Sequence, residues 1–213
     1  MFYLYRHTPA SLLCATVVLM TAQAADTPKK EGGASTATPP GADSMEAMMA
    51  KWKELATPGA GHKSLEVFVG DWEVDCKAWM AGPDSEPTLS KGKSTVKWIL
   101  DGRYLQQEFA GDMMGVPFQG MGITGYDNFR KRYFATWMDS MSTGFFYSEG
   151  SSPDSGKTFE YQGKMDDAMT GEKDKPIKTV IRVLSKDKHA FEMHDLTLGQ
   201  KSKIMEMTYT RRK

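Results

Sequence analysis

The chain has 213 residues, 27 basic against 27 acidic, and a mean hydropathy of −0.48. Such a balance lacks the basic surface that phosphate contacts demand, which argues against nucleic acid as a partner. Two cysteines cannot build a disulfide framework.

The chain opens MFYLYRHTPASLLCATVVLMTAQA, with a charge at Arg6, an apolar run from Ser11 to Met20 and small residues at Ala22 and Ala24. This layout predicts a secretory signal cleaved after Ala24, hence a periplasmic or secreted protein. The apolar run is about ten residues, half of the roughly twenty that a spanning helix needs, so no stable membrane anchor is expected. Leu13 precedes Cys14 inside that run, which does not fit a lipoprotein signal. Cleavage would leave Cys76 as the one cysteine, read as a small buried group, and 26 basic residues facing 27 acidic. Residues 25–43, rich in Pro, Gly, Ser, Thr and Ala, read as a disordered linker. The remainder, roughly 170 residues, is the size of one domain.

Residues 44–60 carry Met45, Met48, Met49, Trp52, Leu55 and Ala56 at helical spacing behind Ser44, a candidate cap. An amphipathic, methionine-rich helix is predicted there, and a shorter one over residues 62–68, ended by Gly70. From Asp71 the rhythm changes to period two, with Trp72, Val74, Cys76 and Ala78 on one face. Further strands are predicted over residues 90–100, 103–109, 118–126, 132–140, 145–151, 158–165, 177–185, 189–198 and 203–211. Asp101-Gly102 reads as a hairpin turn, Asp112 to Gly115 as a loop, and Gly120, Gly122 and Gly125 as a place for coiling or close approach. The fold class is therefore all-β: a single antiparallel β-barrel of about ten strands over residues 61–213, with short N-terminal helices.

Gly70 lies two residues before Trp72 where the first strand begins, and this resembles the G-x-W signature of lipocalins and other calycins. The resemblance implies that Trp72 packs at the closed end of the barrel under an arginine of the last strand, Arg211 or Arg212. A closer likeness spans residues 61–213. The strings WILDGRYLQQE (98–108), GITGYDN (122–128), WMDSMSTG (137–144) and MEMTYTRRK (205–213) resemble the DUF1579 family, an uncharacterised, mainly bacterial set of proteins. That likeness implies a calycin-like barrel and supplies no activity.

Enzyme signatures are sparse: there is no P-loop, no G-x-G-x-x-G behind a strand, no paired cysteines and no nucleophile elbow. His189 and His194 are five apart on one predicted strand and so point to opposite faces, which does not suit one metal ion. No metal and no cofactor is expected; His194 is the candidate haem ligand should its face turn inward. The many methionines could hold Cu(I), but their placement on strands reads as packing. The candidate ligand-binding residues are the polar and amphipathic ones that interrupt aromatic strands: Gln107, Tyr126, Trp137, Asp139, Thr143 and Glu149. Mostly apolar walls with a few fixed polar groups are the composition of a small-molecule pocket. The expectation is an exported module holding a small hydrophobic molecule. Two others stand beside it: an isomerase or hydrolase with Asp139 or Glu149 as general base, and an interaction protein docking through the methionine-rich helix.

Overall fold

The computed structural model describes residues 41–168 and 170–213, so the expected signal segment and most of the expected linker lie outside the described residues. Helix α1 (Ala42–Ala56) and the short α2 (Ala60–Lys63) precede ten strands. The strands are β1 (Gly70–Ala78), β2 (Thr88–Ile99), β3 (Tyr104–Met113), β4 (Val116–Asp127), β5 (Arg132–Asp139), β6 (Phe146–Ser151), β7 (Thr158–Met165), β8 (Lys175–Ser185), β9 (Lys188–Asp195) and β10 (Lys203–Arg211). Each pairs antiparallel with the next, and β1 pairs with β10, placing Trp72 opposite Arg211 and Cys76 opposite Met207. The meander thus closes into a barrel, which satisfies both strands that would otherwise be edges.

Several boundaries differ from the sequence expectation for local reasons. Helix α1 starts ahead of Ser44: Gly41 is its N-cap, and the Ser44 hydroxyl donates back to the Gly41 carbonyl at 2.7 Å. The helix expected over residues 62–68 is split into α2 and a 3₁₀ turn (Glu66–Phe68), because Leu65 N–H bonds His62 O and Phe68 N–H bonds Leu65 O. Three-residue spacing eclipses Leu65 and Phe68, turning both toward the barrel. Strand β3 runs to Met113 because the hairpin turn is Met114-Gly115, at φ 55° and 84°, the left-handed pair of a type I′ turn. The Asp112 carboxylate accepts from Gly115 N–H at 2.7 Å and fixes that turn. Between β2 and β3, Leu100, Asp101 and Gly102 all have positive φ, so the connection is longer than the Asp-Gly pair suggests. Strand β9 stops at Asp195, whose side chain accepts from Thr197 N–H at 2.9 Å and turns the chain into the 3₁₀ segment Leu196–Lys201.

Register and alternation divide the barrel interior in two along its axis. At the end where β1 begins, residues 60–69 cross the opening. Leu65 and Trp72 there are fully buried and pack with Phe68, Val74, Val96, Leu105, Tyr133, Phe159, Tyr161 and Tyr209. This half is a solid core. Toward the opposite end, which receives the turns after β1, β3, β5, β7 and β9, the inward Phe109, Phe118, Trp137, Phe146, Met193, Met205 and Met207 are only half-buried, while Ile177 and Asp195 are buried. Asn128 donates from its amide to the carbonyls of Leu55 and Thr57, both at 2.8 Å, and ties the end of α1 to the β4–β5 turn.

Candidate functional site: the open half of the barrel

Small residues shape this lumen. A Cβ added at Gly120 or Gly122 would run into the Trp137 indole, so two alternate glycines of β4 form a bed on which the ring of the neighbouring strand lies flat. Gly92 and Gly111 do the same for the Phe109 ring, which meets Trp137 edge to face at 6.4 Å and Phe118 at 5.8 Å. Gly120→Val is expected to push the indole off its bed, lowering stability in denaturant titration by about 1–3 kcal/mol as an overpacked site does.

Polar groups are few and placed by the same alternation. Trp137 and Asp139 share the inner face, and the indole Nε1–H donates to Asp139 Oδ2 at 3.0 Å while Oδ1 accepts from Met141 N–H at 2.9 Å. Gln107 also points inward, donating from Nε2 to Ser94 Oγ at 3.0 Å and to the Tyr209 hydroxyl at 3.4 Å. Tyr209 in turn donates to Met207 Sδ at 3.4 Å. Burial pushes the Tyr209 phenol up to about 12, the Gln107 hydrogen bond opposing the shift, so the group is neutral. At the rim, Lys175 Nζ sits 2.8 Å from Asp195, 3.1 Å from Asp167 and 3.1 Å from Glu172, clasping the β7–β8 loop to the end of β9. Against the opposing effect of burial, hydrogen bonds from Lys175 and Thr197 hold Asp195 below the usual carboxylate range.

The other expected residues lie elsewhere. Tyr126 faces inward at the closed end, edge to face with Tyr133 at 4.9 Å and His62 at 5.8 Å, beside a surface concavity of about 340 Å³ that His62, Arg103 and Asn128 also line. Thr143 is exposed in the β5–β6 loop. Glu149 is on the outer face, paired across the sheet with Phe134, and takes contacts from Arg130 at 3.0 Å, Tyr147 at 2.8 Å and Arg132. Hydrogen bonds from Tyr147 and Arg132, with the nearby guanidinium charges, hold its carboxyl below the ordinary value. That is the opposite of what a lumenal general base requires, so Glu149 drops out of the expected constellation. His194 also points outward, with Nε2 3.5 Å from Glu192 and Nδ1 3.1 Å from Ser202, so it cannot ligate a haem inside the barrel. Cys76 faces inward, where burial raises its thiol pKa.

At the closed end, the Arg211 guanidinium carbon lies 4.2 Å from the centre of the Trp72 ring. Its N–H groups donate to the carbonyls of Val69 at 2.6 Å, Val67 at 2.9 Å and Lys186 at 3.0–3.1 Å. Gly70, at φ 132°, leaves the space that the guanidinium fills. Residues 57–211 match the family described as "Protein of unknown function (DUF1579)". The chain belongs to the DUF1579 family. None of the curated proteins compared with it matches. Among solved structures it is similar to a redesigned beta barrel at 11% identity and a TM-score of 0.39, covering 74% of this chain and 100% of that one.

Two inward features are missing from the sequence expectation: Tyr161 of β7 in the core, and the Lys175 clasp at the rim. Tyr161 shares parity with Phe159 and Gly163 and was open to discovery by alternation alone. Lys175 could not be found that way, because its partners Asp167 and Asp195 are brought to it by two different loops.

Proposed function

We propose that this DUF1579 barrel is an exported binding module that holds a small, largely apolar molecule in the open half of its lumen, against Trp137 and Phe109. The observation that carries this reading is the contrast between the halves. Leu65, Trp72, Tyr133, Phe159 and Tyr209 of the closed half are sealed, whereas Phe109, Phe118, Trp137, Met193 and Met207 keep accessible surface although their backs rest on the sheet. Accessible apolar surface turned inward is what a ligand covers, and Gln107 and Asp139 supply the few polar groups such a site uses to orient its occupant. The Trp137→Ala variant is expected to keep the barrel's far-ultraviolet circular dichroism while losing affinity about tenfold, or ~1.4 kcal/mol, for the small molecule that copurifies in native mass spectrometry. Unchanged occupancy would remove Trp137 from the site.

A second reading rests on α1, where Met45, Met49 and Trp52 recur along one side and are 44%, 53% and 58% exposed. That stripe favours a protein contact. It would be carried by a complex lost on deleting residues 44–57 while lumenal occupancy stays the same.

A further inference from the structure

The geometry points to a second site, on the rim of the closed end and separate from the lumen: a hollow for a small aromatic carboxylate, its anionic group held by His62 Nε2–H and the Arg103 guanidinium and its ring against Tyr104 and Phe134. The hollow is the concavity of about 340 Å³ that opens where α2 and the end of α1 meet the turns after β2 and β4. Its frame is fixed. Asn128 ties the carbonyls of Leu55 and Thr57 to the β4–β5 turn, and Gly61 lets α2 lie directly on the Tyr126 ring, where an added Cβ would collide.

His62 is 6% exposed, yet one of its ring nitrogens is unused. Nδ1 accepts from Gly59 N–H at 3.1 Å, so the neutral ring carries its proton on Nε2. That atom has no hydrogen-bond partner among the described residues and is not sealed as the Tyr161 hydroxyl is, so the hollow this ring lines is its outlet. Arg103 lines the same hollow. Its Nη1 donates to the Leu100 carbonyl at 3.0 Å and lies 3.6 Å from the exposed Asp101 carboxylate, while Nε and Nη2 make no polar contact among the described residues. Its charge reaches the imidazole: burial and then the Arg103 charge hold His62 below its ordinary pKa. Nearby acceptors are already committed. Asp127 Oδ1 takes Phe129 N–H at 2.8 Å and Arg130 N–H at 3.0 Å, its Oδ2 lies 3.9 Å from Arg130 Nε, and the Leu55 and Thr57 carbonyls take the Asn128 amide. Donors, one of them charged, are thus left facing the hollow, and the two oxygens of a carboxylate answer both. The walls select its body. Tyr104 and Phe134 meet edge to face at 6.0 Å over Gly125, whose missing side chain gives them room, and such apolar surface suits a ring where a bare phosphate would leave it wet.

The test titrates the whole protein by calorimetry with 2-naphthoate, its uncharged isostere 2-naphthamide, and inorganic phosphate. The wild type is expected to bind naphthoate at least about fivefold tighter than either of the others, and Arg103→Gln to weaken naphthoate about tenfold and naphthamide less than about twofold, as loss of a charged hydrogen bond does. His62→Phe keeps a ring edge-on to Tyr126 and removes the donor, so naphthoate is expected to weaken about fivefold. Equal affinity for naphthamide, a preference for phosphate, or no naphthoate binding would each overturn the inference. So would a naphthoate affinity that survives both substitutions and falls in Trp137→Ala, since the ring would then sit in the lumen. Where a variant does not fold, the His62 and Tyr104 ring signals of the wild type decide by nuclear magnetic resonance: shifts on adding naphthoate support the site, and signals that stay in place remove it. The lumenal reading concerns a different half of the barrel and a different occupant, so the two fail separately.

Discussion

Trp72→Ala is expected to lower the stability of the barrel by about 3–5 kcal/mol, the range for deleting a large aromatic from a sealed core. The indole is fully buried, donates from Nε1 to Phe68 O at 2.9 Å, and lies under the Arg211 guanidinium at 4.2 Å and against the His189 ring at 4.4 Å. Residues 60–69 cannot collapse into the vacancy, because their carbonyls at Val67 and Val69 are held by Arg211. Arg211→Met removes that hold and leaves those carbonyls without the charged donor. A double-mutant cycle between the two positions is expected to show coupling of about 0.5–2 kcal/mol from the cation over the ring. Guanidinium titrations of the four proteins supply all the numbers. A loss under ~1 kcal/mol for Trp72→Ala would show that the closed end does not anchor the fold.

The architecture was legible because period two is written into nearly every strand: Trp72, Val74 and Cys76 on β1 are inward and buried while Glu73, Asp75 and Lys77 are exposed. The same rule puts Trp137 and Asp139 of β5 on one face, where their side chains hydrogen-bond. It misled at β6, where Phe145, Tyr147 and Glu149 look the richer face and Ser148 and Gly150 the poorer one. The inner face there is poor for a reason that lies on other strands. Gly150 stands between Tyr133 of β5 and Tyr161 of β7, and those two rings, with Phe159, already fill the space. Which parity is inward thus depends on neighbours far apart in sequence. The glycines show the same limit: the spacing of Gly120 and Gly122 signals close approach, but only the β4–β5 register, pairing Gly122 with Trp137, shows what approaches. Gly125, one residue off that alternation, serves the outer face, beneath Phe134 and Tyr104.

Acidification is expected to weaken the barrel from near neutrality downward, and His189 is the main cause. The ring is stacked on Tyr209 at 4.4 Å and wedged edge to face against Trp72 and Phe68. Burial, helped by the Arg211 charge, pushes its pKa down to about 3. The folded state therefore keeps the imidazole neutral at a pH where the unfolded chain, with an ordinary value near 6.5, takes up a proton. Stability from this group is complete above pH ~6.5, falls as the pH drops through that value, and reaches its floor near pH 3, at a slope on the order of 1 kcal/mol per pH unit. His62 acts in the same direction: burial and the charge of Arg103 lower its pKa, and its Nδ1 accepts from Gly59 N–H at 3.1 Å only while unprotonated. Carboxylates held low by partners, such as Asp195 and Glu192, surrender their contribution only in more acidic solution. The interval from pH 6.5 to 5 therefore belongs to the histidines. His189→Phe keeps a ring in the stack and removes the titrating group, so its denaturation midpoint is expected to depend on pH much less than the wild type's across that interval. Parallel curves for the two proteins would mean that His189 is hydrated and charged inside the fold, and that the closed end is not the sealed core its geometry describes.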